Sequence, residues 1–212
     1  YDGLLLEKEL EGYQTLSVSG REMLSLNIES DNVQVGSIIN NQTLPPRELT
    51  IKYRLFANNA IDLQRKFKRL MWLLYRENDV QINFNDELET NYFGRFSSAE
   101  TVPENTNLIV SSFSIYCHDP RKFSKEYVTE GYISTETPFK TVPSVIIAKI
   151  LGTGTVSVTN GREKISMTGR NVTDNDIVKF DILNGKVFIN DEDFTRALDL
   201  TSDFKNFTLK KG

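Results

Sequence analysis

Between residues 47 and 76 the spacing of apolar side chains switches from two to three-and-four, and this switch restricts the fold more than any other feature of the chain. Leu49, Ile51, Tyr53 and Leu55 alternate with Glu48, Thr50, Lys52 and Arg54. That is the pattern of a strand with one wet face, because successive side chains of a strand point to opposite sides. Ile61, Leu63, Phe67, Leu70, Met71 and Leu74 then recur at helical spacings, so residues 59–76 are expected to form one amphipathic helix. Asn58 or Asn59 is suited to accept a hydrogen bond from the free N–H groups of its first turn, and Asp62 suits that positive end.

Everything around the helix reads as β structure. Residues 1–30 hold short strands broken by Gly12 and Gly20, and residues 33–46 are a polar stretch ending in Pro45-Pro46, a long loop or an extended hairpin. After the helix, Val80, Ile82 and Phe84 alternate, Asn85-Asp86 offers a turn, and residues 92–97 and 107–117 make further strands with Ile109, Phe113 and Ile115 on one face. His118-Asp119-Pro120-Arg121 is turn chemistry, since proline fixes its own φ and moves its predecessor away from helix. Further on, Asn160-Gly161 joins residues 155–159 to 164–168, and Asn184-Gly185 joins 176–182 to 186–189. Asn-Gly favours the positive φ angles of a tight hairpin turn. Residues 197–210 fit either a strand or a loop. Short strands closely spaced by turns point to a small sandwich. The expected layout is therefore mainly β with one helix: an N-terminal β-sandwich-like domain over residues 1–123 and a C-terminal β-sandwich over 124–212.

Several function classes have no foothold. One cysteine, Cys117, excludes an intrachain disulfide framework, and with one histidine, His118, it excludes the usual zinc clusters. The net charge of -4 supplies no global field toward nucleic acid. The longest apolar runs, such as Met71 to Leu74, are far shorter than a membrane span. No basic-then-apolar leader opens the chain, although Tyr1 is not an initiator Met.

Candidate chemistry resolves the same way. His118 beside Asp119 lacks the second histidine or nucleophile motif that a relay needs, and it reads as a turn residue. Cys117 has no adjacent basic group to activate it. Asp191-Glu192-Asp193, near Asp174 and Asp176, lacks the ligand spacing and glycine of a calcium loop and reads as a solvated turn. Gly152-Thr153-Gly154 opens no helix and is loop glycine. Arg65, Lys66, Lys68 and Arg69 form a basic cluster, which without a basic surplus is a solvated face or a subunit contact rather than a nucleic-acid site. The Asn-x-Thr triplets at Asn41, Asn171 and Asn206 are common by chance. No catalytic, cofactor or metal residues are assigned, and no enzymatic activity is expected.

Several ordered stretches resemble the phage distal tail protein family, also called the siphovirus-type tail component family. They begin with the strand Pro46-Arg47-Glu48-Leu49-Thr50-Ile51-Lys52-Tyr53-Arg54-Leu55 and the basic helix after it. Ile82-Asn83-Phe84-Asn85-Asp86-Glu87 and Tyr92-Phe93-Gly94-Arg95-Phe96 resemble the family's "F-x-D-E … Y-x-G-R/K" pair. Phe113 to Pro120 resembles the segment closing its first domain, and Asp181 to Ile189 and Leu200-Thr201-Ser202-Asp203-Phe204 resemble its later hairpin and Ser-Asp-Phe segment. No piece is specific alone; their order over residues 46–204 is. The resemblance implies an N-terminal β domain carrying one helix, a galectin-like C-terminal sandwich, and a six-fold ring at the virion tail tip. Such a ring joins the tail tube to the tail-associated lysin or tail fibre, and often anchors receptor-binding or baseplate proteins. Family members usually continue past the Ser-Asp-Phe segment to a last strand that this chain is expected to lack.

A ring needs a heterologous contact, one patch meeting a different patch on the neighbour. Val33, Val35, Ile38 and Ile39, apolar residues in an otherwise polar stretch, are the expected subunit interface. The rival reading is an adhesin that holds cell-wall glycan through the C-terminal sandwich. That half has no Trp, and its aromatics (Tyr132, Phe139, Phe180, Phe188, Phe194, Phe204 and Phe207) mostly fit core alternation. A glycan array separates the two readings.

Overall fold

A computed structural model describes residues 1–22, 25–133 and 139–209. The chain separates into two compact units, Tyr1–Glu126 and Tyr127–Gly212.

The first unit runs α1 (Leu6–Glu9), β1 (Tyr13–Ser19), β2 (Asn27–Asn32), β3 (Ser37–Thr43), β4 (Arg47–Phe56), α2 (Ala60–Leu74), β5 (Val80–Phe84), β6 (Glu87–Ala99), β7 (Leu108–Cys117) and β8 (Phe123–Ser124). Its main sheet has the order β1-β4-β7-β6-β5, antiparallel throughout, with β8 on β6. β6 pairs with β5 through its first part and with β7 through its last, and register shifts at Ile82/Phe84 and Phe96/Ser98 bend it between the two. Strand alternation holds along β4 and β7: Leu49, Ile51, Tyr53 and Leu55 are buried, as are Ile109, Phe113, Ile115 and Cys117. Leu63, Leu70, Leu73 and Leu74 of α2 belong to the same core.

The helix begins where its cap predicts, with Asn59 Oδ1 accepting from the Asp62 N–H at 2.9 Å. Ile61, however, is exposed rather than inward. At 100° per residue it lies on the opposite side of the helix from Leu63 and Leu74. The first strand expected in residues 1–12 is also replaced, by the single turn α1. Leu6 and Leu10, four residues apart, both reach the core from one side of that turn.

The second unit holds β9 (Val145–Lys149), β10 (Gly154–Thr159), β11 (Lys164–Val172), β12 (Ile177–Asp181), β13 (Lys186–Ile189), β14 (Glu192–Asp193) and a 3-10 turn, Thr195–Ala197. β10-β11 form one small sheet and β14-β13-β12-β9 another. Val156, Ile165, Met167, Val172, Val178, Phe180, Val187 and Phe207 share one core. The two Asn-Gly dipeptides do lie between paired strands, but not in tight turns. Thr159 pairs with Lys164 and Asp181 with Lys186, leaving longer loops, and neither Asn160 nor Asn184 has positive φ. The two-residue turn sits instead at Asn190 (φ 51°) and Asp191 (φ 68°), between paired Ile189 and Glu192.

Candidate functional site

Residues 33–46, expected as a loop or an extended hairpin, supply the turn and second strand of a hairpin whose first strand, β2, begins earlier at Asn27. β2 and β3 pair only with each other, from Asn27↔Thr43 to Asn32↔Ser37, with a register shift between Glu29 and Ser30. Every residue of both strands is exposed, so both faces of the ribbon meet solvent. Val33 donates its N–H to the Gly36 carbonyl at 3.1 Å across the turn, and Gly36 supplies the positive φ of 84° that closes the tip. Val35 at the tip is 90% exposed, and Val33, Ile38 and Ile39 are exposed along the arm. An isolated two-stranded ribbon is marginal in water, because it orders its backbone while burying little apolar surface.

A polar clamp holds the root of this arm. Arg47, 5% exposed, donates from Nη1 to the Gly20 and Arg21 carbonyls, both at 2.6 Å, and from Nε to the Pro120 carbonyl at 2.8 Å. Its guanidinium lies 5.7 Å from the Tyr92 ring centre. Arg21 makes a bidentate pair with Asp86 (2.7 and 2.9 Å) and lies over the Phe84 ring at 5.1 Å. Glu87 accepts from the Tyr92 hydroxyl at 2.8 Å and from Lys122 Nζ at 2.7 Å. One residue before the hairpin's lead-in, one after its exit, the β5–β6 turn and the segment after β7 are thereby tied together.

The electrostatics follow. Hydrogen bonding from Arg21 holds the Asp86 carboxyl below its ordinary value. Burial alone would raise Glu87, but the hydrogen bonds from Lys122 and Tyr92 outweigh it and leave it lowered. Burial pushes the Tyr92 phenol up. Two glycines let the backbone close here. A Cβ on Gly20 (φ 88°) would lie 2.0 Å from the Glu48 carbonyl oxygen, and one on Gly94 would lie 2.7 Å from Cys117 Sγ.

Most residues of this clamp come from the stretches quoted above: Phe84, Asp86, Glu87, Tyr92 and Gly94. Arg47 also lies in a quoted stretch, the strand from Pro46 to Leu55, without a role of its own there. Its signal was parity, because it stands in phase with Leu49, Ile51, Tyr53 and Leu55 and must point inward with them. Arg21 carried no such signal.

The other candidates are structural where they fall. His118 is paired through Nδ1 with Asp79 rather than with Asp119, and Asp79 also accepts from Arg95 Nε at 2.6 Å. Asp119 instead accepts from Arg121, whose hydrogen bonds hold its carboxyl low. Cys117 is buried, and burial pushes its thiol up to about 11, which leaves it a packing residue. Asp191, Glu192 and Asp193 belong to the tight turn and the short strand after it, and Asp193 accepts from the Thr195 N–H at 2.8 Å. Among the described residues no three carboxylate, histidine or cysteine side chains converge to hold a metal ion. In the second unit Phe180 and Phe207 are buried, while the half-buried Phe188 and Phe194 lie under Lys179 (5.8 Å) and Arg170 (4.1 Å).

On α2 the basic cluster spreads around an exposed face. Arg65 pairs with Asp62 at 3.1 Å, Lys66 donates to the Phe56 carbonyl at 3.2 Å, and Arg69 lies over Trp72 at 4.3 Å.

No family model matches the chain. The distal tail protein of Bacillus phage SPP1 is 32% identical over 144 residues, covering 66% of this chain and 55% of that protein. The chain thus spans about half the length of this curated relative. The crystal structure of SPP1 Dit, described as a paradigm of the hub adsorption apparatus in phages infecting Gram-positive bacteria, aligns with a TM-score of 0.75 at 23% identity. That alignment covers 100% of this chain and 89% of the other, so the two share a fold. A structure of the phage P2 baseplate in its activated conformation with Ca aligns at a TM-score of 0.47 and 10% identity, over 95% of this chain and 85% of the other, too loosely to carry an argument.

Proposed function

We propose that this chain, which shares its fold with SPP1 Dit and 32% identity over 144 residues with the SPP1 distal tail protein, is a member of the phage distal tail protein family and a structural hub of a siphophage or prophage tail tip. The hub is a homohexameric ring that joins the tail tube to the tail-associated lysin or tail fibre and anchors receptor-binding or baseplate proteins. It works through interfaces, not through reaction chemistry. The observation that carries the ring is the β2–β3 hairpin, clamped at its root and unpacked on both faces. An exposed arm with an apolar tip is costly on a monomer and useful against a neighbour. Val33, Val35, Ile38 and Ile39 are its contact residues.

The adhesin reading has less support: in the second unit Phe188 and Phe194 lie under cations, and the exposed Tyr127 and Tyr132, the latter grouped by sequence with the core aromatics, lie outside its strands. Light scattering on a sizing column over a range of concentrations tests the ring. The expected mass is near six copies of the 24.2 kDa chain, and deleting residues 34–43 shifts it toward the monomer. A ring unchanged by that deletion removes the hairpin from the contact.

A further inference from the structure

We propose that the β2–β3 hairpin of one copy docks along the outward stripe of α2 on the next copy, acidic arm on basic helix. The inference rests on the ring reading and names the two surfaces that meet. Ile61, Arg65, Lys68 and Trp72 of α2 succeed one another at four- and three-residue steps, so at 100° per residue they fall within about 60° of the helix circumference, and Tyr75 at the C-cap continues the series. All five are exposed, Ile61 at 68%, Trp72 at 64% and Tyr75 at 67%. This is a second seam on an amphipathic helix whose first seam already faces the core, and it carries the chain's one Trp.

The hairpin complements the stripe in charge and in length. Residues 25–46 contain Glu29 and Asp31 and no lysine, arginine or histidine. Helix α2 carries four basic residues against one acid, Asp62. By register, Glu29, Asp31 and Ile38 share one face of the ribbon, an isoleucine beside the acids, while Ile28 and Ile39 lie on the other with Ser30 and no charge. Strands of this length reach about 20 Å, and a 15-residue helix about 22 Å. The outer face of the main sheet also exposes apolar side chains, Phe56, Leu108, Val110 and Tyr116, but it sets Glu48 beside Lys52 and Arg54, whereas the stripe carries no acid. Arm and stripe are different surfaces of the same chain. A copy that gives its arm to one neighbour keeps its helix free for another, which is the heterologous geometry that closes a ring.

Charge exchange tests this on the full chain. Glu29→Lys with Asp31→Lys, or Arg65→Glu with Lys68→Glu, is expected to raise the apparent dissociation constant of assembly at least about tenfold. Combining all four substitutions is expected to recover it, since opposite charges then face each other again. Circular dichroism and the thermal midpoint verify that each variant folds; the milder Glu29→Gln with Asp31→Asn replaces a hairpin variant that does not. Assembly untouched by either pair, or lost in both and not recovered in combination, overturns the docking while the ring stands. A wild-type chain that stays monomeric at every concentration overturns the ring itself, and the docking with it.

Discussion

Arg47 is a buried cation whose hydrogen bonds go to three backbone carbonyls, and this makes it the residue on which the root of the hairpin most depends. Removing a charge from water is expensive, and the charge-assisted bonds and the Tyr92 face offset that cost only while all are in place. Arg47→Ala leaves the Gly20, Arg21 and Pro120 carbonyls without this donor and empties the volume of the stem. We expect it to lower stability by about 3 kcal/mol, measured by urea unfolding. Lysine does not restore the loss, since an ammonium on a flexible stem lacks the planar fork that spans these acceptors. A cost below about 1 kcal/mol would contradict the role assigned to it. The inward direction of Arg47 was legible from the parity of its strand, but its partners were not, because Gly20 and Pro120 come together with it only through the fold.

At the scale of single elements, the tight turn of the second unit lies at Asn190 and Asp191 and not at either Asn-Gly dipeptide. Register explains why. Val158 faces Ile165 across β10–β11, and Phe180 faces Val187 across β12–β13, with Ile165, Phe180 and Val187 fully buried. A one-residue slip would turn these side chains outward, so the core sets the pairing and the loop takes whatever residues remain. Asp191→Val places a β-branched side chain at φ 68° and is expected to cost about 1–2 kcal/mol, whereas Asp191→Gly is tolerated. Equal thermal midpoints for the two variants would contradict a strained turn. The helix shows the opposite case: its Asn59 cap and most of its period are local features and appear where the sequence places them, Ile61 alone turning outward.

Across the whole molecule, carboxylates of both units sit below their ordinary pKa values. Asp86 is lowered by Arg21 and Asp119 by Arg121 in the first unit. In the second, Asp176 is lowered by the Thr173 N–H and Asn190, and Asp199 by the Ser166 and Thr168 hydroxyls. A carboxylate depressed in the folded state binds protons more readily when unfolded, so its stabilisation is complete above the unfolded pKa and is lost as pH falls through the folded one. The thermal midpoint is therefore expected to hold steady down to about pH 5 and to fall below about pH 4; a midpoint that rises on acidification through that window contradicts the assignment. The sequence by itself determined the amphipathic helix α2 and the two-residue alternation of β4 and β7, because each depends on neighbours a few positions away. It also isolated residues 33–46 as unusual. Only the tertiary structure decided that this segment is an arm bare on both faces, that Arg21 and Arg47 hold its root, and that Ile61 and Trp72 face outward on a helix whose other side is buried. Those outcomes depend on which surfaces the core has already consumed, and that is a property of the packed chain.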